Sequence, residues 1–315
     1  MRKVIGIGET VLDIIFKEGQ PIGAVPGGSV YNGLISLGRA GIPAAMISET
    51  GNDRVGRQII DFARDNGVNA DNICVFPDSK SPVSLAFLDE NNDAEYLFYK
   101  DHPRDQLDFS YPDVQADDIV MFGSFYAVNP VIRPQVKGFL DHARQRGAIL
   151  YYDVNFRPAH RHEVVKLTSN LLENLGMADI VRGSQEDFDV LFRKTSPDVV
   201  YNAEVSFYCR QFIYTQGAQP VAVRSNSVKK DYPIAATATV STIGAGDNFN
   251  AGFVYGLLKD GITRDMIVSG LSEAQWDSLI GYAQRFSANC CQSISNSVSP
   301  EFGAQLRGEF NTPHE

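Results

Sequence analysis

The sequence predicts an α/β fold: one doubly wound, mainly parallel sheet with helices on both faces, carrying a small β-sheet lid. Three observations lead there. Short apolar, β-branched runs alternate with segments of helical spacing along most of the chain, the signature of successive βαβ units. The chain has 315 residues, 43 % hydrophobic and 21 % charged, a composition that can bury a sizeable core. No internal repeat, low-complexity linker or block of like charge marks a boundary, so residues 1–315 read as one domain.

In chain order, residues 3–8, 44–48, 119–122, 148–153, 179–181 and 211–215 read as buried strands, each a short apolar run. Residues 29–40, 54–66, 132–146, 162–176 and 185–192 have helical spacing. The last third is mostly helical, with 246–259 and 273–292 followed by a polar tail from Ser293. Two stretches break the rhythm. Residues 12–16 and 21–24 are strand-like but too short and polar for the main sheet, and 83–89 with 95–100 flank a turn-rich tetrapeptide at 90–93. Insertions at about 12–25 and 83–105 therefore predict a lid of about four strands. In its hairpin, Val83, Leu85 and Phe87 alternate with Ser84, Ala86 and Leu88, and Tyr96 and Phe98 alternate with Leu97 and Tyr99. Apolar side chains on both faces should cover either the mouth of a site or another subunit, and the second case predicts a homodimer through the lid.

Charge excludes several classes. With 28 basic against 38 acidic residues, the net charge of −10 argues against non-specific binding to nucleic acid or to an anionic membrane. No apolar run approaches the roughly 18 residues that span a bilayer, and the opening MRKVIGIGET predicts no signal peptide. Cys74, Cys209, Cys290 and Cys291 form no CxxC pair and have no histidine at ligand spacing. Neither a zinc nor a redox motif is predicted, and the expected setting is the reducing cytoplasm.

Three stretches are rich in glycine. Gly6-Ile7-Gly8 lacks the third glycine of a dinucleotide fingerprint, because position 11 is valine. The spacing from Gly23 to Gly28 suits a P-loop, but Ser29 stands where its lysine belongs. What remains is Pro26-Gly27-Gly28-Ser29 with Asn32, a double glycine opening a helix, with Ser29 as N-cap and Asn32 facing the same space. It reads equally as an ordinary capped turn. The third stretch, Ser241 to Phe253, sets Gly244-Ala245-Gly246 before a helix with Asp247 in its first turn. Free amides at a helix start make an anion hole. A capping carboxylate alone does not need Gly-Ala-Gly before it, whereas phosphoryl transfer needs donors for the developing charge and a base beside them.

Gly244-Ala245-Gly246-Asp247, with Ala251-Gly252 beyond it, resembles the C-terminal signature of the ribokinase (PfkB) family of carbohydrate kinases. Pro26-Gly27-Gly28-Ser29 with Asn32, then Leu37-Gly38-Arg39-Ala40-Gly41, resembles its N-terminal signature, and Gly51-Asn52-Asp53-Arg54-Val55-Gly56 its G-x-D-x-x-G stretch. The likeness runs from Val4 to about Asn289. Gly8-Glu9, Asp13 and Tyr152-Asp153-Val154-Asn155-Phe156-Arg157-Pro158 look most like the fructokinase and ketodeoxygluconate kinase branches.

The resemblance implies ATP- and magnesium-dependent phosphorylation of fructose or a related ketose at its terminal hydroxyl. By it, Asp247 is the base, and the amides of Gly244, Ala245 and Gly246 hold the transferred phosphoryl. Asp13, Gly27, Gly28 and Asn32 bind the sugar, with Phe98 from the lid, and Arg157 approaches sugar or phosphates unless it is tied to Asp153. Ser184, Thr215, Gly217 and Asn289 fall at ATP-binding positions, Asn289 otherwise being an exposed helical residue. The N-x-x-E motif linked to magnesium is here Ser184-Gln185-Glu186-Asp187, where the shorter Asp187 can act through water beside Glu186. Ser241 stands where the family has an aspartate beside a monovalent cation, and it cannot supply that charge, so potassium is not carried over.

Other readings stay open. A ketodeoxygluconate kinase would find basic contacts in Lys100, Arg104 and Arg157; a nucleoside kinase would need an apolar slot. A regulatory protein that binds sugar without chemistry is kept open by Ser241 and Ser184. His160 and His162 do not read as a metal pair, since i,i+2 positions on a helix do not converge, and His102 reads as a surface residue near the lid.

Overall fold

The computed structural model describes residues 1–90, 94–100, 107, 109–237 and 239–311. In chain order the strands are β1 (Val4–Ile7), β2 (Val11–Lys17), β3 (Gln20–Gly27), β4 (Ala44–Gly51), β5 (Val68–Phe76), β6 (Val83–Leu88) and β7 (Ala94–Tyr99). Then come β8 (Ile119–Gly123), β9 (Ile149–Asp153), β10 (Ile180–Ser184), β11 (Gln211–Gln216), β12 (Gln219–Ser225) and β13 (Lys229–Tyr232). The helices are α1 (Ser29–Arg39), α2 (Arg54–Asp65), α3 (Ser124–Val128), α4 (Arg133–Gln145), α5 (Val164–Met177) and α6 (Gln185–Phe192). They continue as α7 (Pro197–Val200), α8 (Ala245–Lys259), α9 (Arg264–Ser269), α10 (Glu273–Cys290) and α11 (Pro300–Asn311).

The large sheet has nine strands in the order β13-β12-β11-β10-β9-β8-β1-β4-β5. It is parallel from β11 to β5, and β12 and β13 are antiparallel additions. Helices cover both faces, so successive residues of an inner strand enter different cores. Val4, Ile119, Met121, Ile149 and Tyr151 pack into the core under α1, α8 and α10. Ile5, Val120, Phe122, Leu150 and Tyr152 pack into the one under α4 and α5. That double burial is why these strands read as unbroken apolar runs. The two strands without such runs, β5 and β13, are the edge strands, where one side is open to solvent and polar residues are tolerated.

Two helix expectations need correction. The segment from Pro158 to Glu163 is a 3₁₀-helix, and the α-helix starts only at Val164. The chain after Ser293 is no polar tail: Asn296, Ser297 and Val298 are buried, and α11 packs Phe302, Leu306 and Phe310 onto the α1/α8 core. Those three residues recur every fourth position, a helical stripe obscured by the Ser- and Asn-rich approach. Among the described residues no helix is long and apolar enough to cross a membrane.

A separate four-stranded sheet, ordered β3-β2-β6-β7, forms the lid. Strand β2 follows the end of β1 after a three-residue link and β3 runs straight into α1, so the lid stands on the carboxyl ends of the parallel strands, where open α/β sheets place their ligands. Residues 91–93 of the predicted turn, the end of the second insertion at 101–105, His102 and Arg104 lie outside the described residues.

Asp53 ties the approach to the second insertion, at Ser81, to the main body. It caps α2 by accepting from the Gly56 amide at 2.9 Å, and it accepts the Ser81 hydroxyl at 2.6 Å and the Ser81 amide at 2.9 Å. Burial pushes its carboxyl up, but the Ser81 and Gly56 donors outweigh it and hold the group down at about 2. An unfolded aspartate titrates near ~3.9. The stabilisation is therefore complete above about pH 5 and is lost as pH falls through about 2. Asp53→Ala should cost about 1–2 kcal/mol in urea unfolding at neutral pH, and the gap should narrow toward pH 2. A gap of constant size would show that the charge is not involved.

Candidate active site

The segments after the carboxyl ends of β1, β8 and β9, the starts of α1 and α8 and the underside of the lid surround a cavity of about 340 Å³. A polar channel of about 460 Å³ adjoins it. Tyr96, Asn155, Arg157, Ile243, Gly244 and Asp247 line both, so the boundary between the two volumes lies beside the first turn of α8.

That turn is built by its glycines. Gly244 caps α8 with φ +74, a left-handed conformation that glycine adopts without strain. Asn248 reaches back to hold the cap, donating to the Gly244 carbonyl at 2.8 Å and to the Asn296 carbonyl at 2.9 Å. Gly244 and Gly246 both line the channel, whereas the Ala245 amide turns away to donate to the Thr242 carbonyl at 3.2 Å. Asp247 lies within the first turn, buried, and its Oδ2 accepts from Asn32 Nδ2 at 2.8 Å. Burial pushes its carboxyl up to about 7, against the opposing hydrogen bond from Asn32. A carboxylate that exchanges its proton near neutrality is suited to general base work.

Across the cavity stands Asp13, on β2 of the lid. Its Oδ1 accepts the Ser84 hydroxyl from β6, and its Oδ2 accepts from Asn296 Nδ2 at 2.9 Å. It is buried, and burial raises it to about 6 despite those bonds. Gly27 lets β3 pass this carboxylate closely, since a Cβ there would stand 2.2 Å from Asp13 Oδ2. The N-cap of α1 is Gly28 (φ +125), not Ser29: the helix begins at Ser29, and no side-chain cap bond is made. Gly28 and Asn32 line the cavity beside Asp13 and Asp247. Tyr96 and Phe98 of β7 close it from above, while Leu97 and Tyr99 point away.

The far end of the cavity is charged, and sequence reasoning largely missed it. Lys100 pairs with Glu9 there, and His160 stacks on Phe125 at 3.9 Å while its Nδ1 meets Glu163 at 3.0 Å. From sequence His160 is an unremarkable helical residue; the 3₁₀ geometry of 158–163 turns it into the wall. Ser124 and Asn155, also in the wall, have φ +53 and φ +34. Such backbone strain outside glycine gathers at functional sites, but no sequence signal marks it.

The remaining candidates divide. Arg157 is exposed, lies over the Tyr96 ring at 5.6 Å and lines both volumes. The expected alternative, an ion pair with Asp153, is not formed: Asp153 pairs with Arg182 at 3.0 Å, its neighbour across the sheet. Ser184, Glu186 and Asp187 line the channel. Ser184 and Asp187 form a capping box on α6, and the oxygens of Asp187 accept the Phe156 amide at 2.7 Å and the Ser184 amide at 2.6 Å. Thr215 accepts from Arg182 at 2.7 Å, and Gly217 sits with φ +62 in the turn after β11. Asn289 accepts the Ser299 amide at 2.8 Å, is half-buried and touches neither volume. Ser241 is fully buried, its Oγ accepting the Ile243 amide at 3.2 Å. Among the described residues no group of three or more His, Cys, Asp or Glu is gathered for a metal.

A lidded cavity at the carboxyl edge of a doubly wound sheet, with a neutral-range carboxylate beside a helix N-terminus, suits an enzyme that moves a proton next to a bound anion, as a carbohydrate kinase does. Residues 1–299 match the pfkB family carbohydrate kinase domain, and the chain belongs to that family. Probable fructokinase-5 of Arabidopsis thaliana is 23 % identical over 274 residues, covering 83 % of this chain and 85 % of the relative. 5-Dehydro-2-deoxygluconokinase 2 of Bacillus cereus is 26 % identical over 278 residues, covering 81 % and 82 %. A fructokinase double mutant from Vibrio cholerae O395, solved with fructose, ADP and potassium, shares the fold with a TM-score of 0.83 at 21 % identity, over 97 % of this chain and 98 % of that one.

Asp13 and Asp247 hold their protons up to about pH 6 and 7, whereas the unfolded chain releases them near ~3.9. Between those values the folded state binds more protons, so these two groups make stability fall as pH rises. Asp247→Asn should therefore raise the melting temperature of the ligand-free protein at pH 8 and leave it nearly unchanged at pH 4.5. A variant less stable than the parent at pH 8 would contradict the raised titration.

Proposed function

We propose that this chain transfers the terminal phosphoryl group of ATP to the terminal hydroxyl of fructose or a related ketose, with magnesium. The observation that carries the reading is the shared cavity of Asp247, Asn32 and Asp13 at the start of α8. The sugar occupies the lidded cavity, its hydroxyls paired by Asp13 and Asn32 and by the backbone at Gly27 and Gly28, with Tyr96 and Phe98 against its apolar edges. Asp247 takes the proton of the acceptor hydroxyl. The start of α8, with Gly244 and Gly246, faces the charge that develops on the transferred group. The lid keeps out water, which would otherwise compete as acceptor.

ATP lies along the polar channel, whose wall holds Ser184 and Glu186. The residues present fit a magnesium ion held through the phosphates and water. Glu186 is exposed on the channel wall, whereas both Asp187 oxygens already accept backbone amides, so Glu186 would hold the ion and Asp187 would shape the turn. Magnesium when bound offsets phosphate charge.

One observation supports a second acceptor class, an acidic ketose: Arg157 lines the sugar cavity and is not engaged by Asp153. Leu97 and Tyr99, 48 % and 61 % exposed on the outer lid face, support pairing of two copies through their lids. No disulfide joins any of the four cysteines, which suits the cytoplasm, where we place the protein.

A coupled ADP-release assay over ketoses, aldoses, sugar acids and nucleosides tests the reading. ADP should form with a ketose present and not in its absence; release with no sugar on the panel would overturn it. Asp247→Asn should lower kcat by roughly 10²–10⁴-fold with little change in sugar affinity. In the parent, kcat/KM should rise with pH to a plateau above about 7, as Asp247 loses its proton. Unchanged turnover in the variant would remove Asp247 from the mechanism.

A further inference from the structure

One buried charge has no part in the reaction so far. Arg182, at the carboxyl end of β10, is 7 % exposed and lines the polar channel together with Gly244, Gly246 and Asp247. Its Nη1 donates to Asp153 Oδ1 at 3.0 Å and its Nη2 to Thr215 Oγ1 at 2.7 Å, so the guanidinium bridges the ends of β9, β10 and β11. Those bonds use two of its five N–H donors, and Nε is buried with no partner among the described residues. The same guanidinium lies against the first turn of α8: a Cβ at Gly246 would stand 3.0 Å from Nη2 and 3.2 Å from Nη1. Gly246 thus keeps open the space in which a planar cation and the helix N-terminus meet.

A brace between strands needs neither spare donors nor a polar channel beside it. Burying an ion pair for stability alone gains little over apolar packing. Here the pair sits where Glu186, Asp187 and Asp247 would repel a polyphosphate, and Arg182 and Arg157 are the cations that line the same wall. A guanidinium presents parallel donors to phosphoryl oxygens, which a helix end alone does not.

We propose that Arg182 binds the phosphoryl group in transfer, from beneath the first turn of α8. This rests on the kinase reading above. As the bond from the terminal phosphorus to the bridging oxygen breaks and the bond to the sugar oxygen forms, ADP leaves and the hydroxyl proton passes to Asp247. Arg182 keeps its proton throughout and donates to the peripheral oxygens, where charge accumulates.

The test uses the full-length chain with Arg182→Gln and Arg182→Lys. Calorimetry measures affinity for the accepted sugar, for ADP with magnesium and for a non-hydrolysable ATP analogue with magnesium, alongside kcat. Arg182→Gln should lower kcat by roughly 100-fold and leave sugar affinity within about threefold. Its preference for the ATP analogue over ADP should fall by roughly tenfold or more, and Arg182→Lys should recover part of both losses. An unchanged preference in both variants overturns the proposal even if kcat falls, since the arginine would then only brace the strands. If Arg182→Gln does not fold, Arg182→Lys supplies the same comparison. A parent protein that binds both ligands but transfers nothing to any sugar overturns the kinase reading, while the analogue-to-ADP ratio still decides for Arg182.

Discussion

The hydrogen bond from Asn32 to Asp247 joins the first turns of α1 and α8, from residues 215 positions apart in the chain. The rest of the site depends on it. Asp247 is buried with this amide as its side-chain donor, enough to orient the carboxylate but too little to hold it ionised well below neutrality. A stronger donor, such as an arginine in direct contact, would fix the charge and hold the carboxylate ionised well below neutrality. Arg182 does lie close by, yet Asp153 engages it, and Asn250 in turn donates to Asp153 at 2.8 Å. The guanidinium and the Asp247 carboxylate share a wall while each keeps its own partner.

The two carboxylates of the cavity are raised by the same cause and differ in their surroundings. Asp13 has two side-chain donors, Ser84 and Asn296, and titrates at about 6; Asp247 has one and titrates at about 7. The group with more donors is held lower and the one with fewer donors is held nearer neutrality, as the hydrogen bonds require.

Local features were legible in the sequence. The start of α8 could be read because its cap, amides and carboxylate are consecutive residues, and the inner strands because burial on both faces leaves them no polar positions. The lid could be read from alternating apolar residues, with Tyr96 and Phe98 inward and Leu97 and Tyr99 outward. Partnerships between distant segments could not. Asp153 had a candidate partner four residues away in Arg157, but the parallel register sets it beside Arg182. Asn296 lay in a stretch rich in Ser and Asn that looked like solvent-exposed tail, and nothing local announces that its amide ends on Asp13. Ser29 seemed a natural cap because of its residue type, yet Gly28 takes the position.

The Asn296–Asp13 bond spans 283 residues and brings the last part of the chain into the first strand of the lid. Segment 295–298 also supplies the carbonyl that anchors Asn248, and Val298 receives Arg39 from α1 at 2.5 Å. During synthesis the sheet can assemble before segment 295–298 emerges from the ribosome, but until it does neither the Asp13 carboxylate nor the Asn248 side chain that holds the cap of α8 has its Asn296 partner. A chain cut short before residue 296 therefore lacks both anchors, however well its sheet has formed.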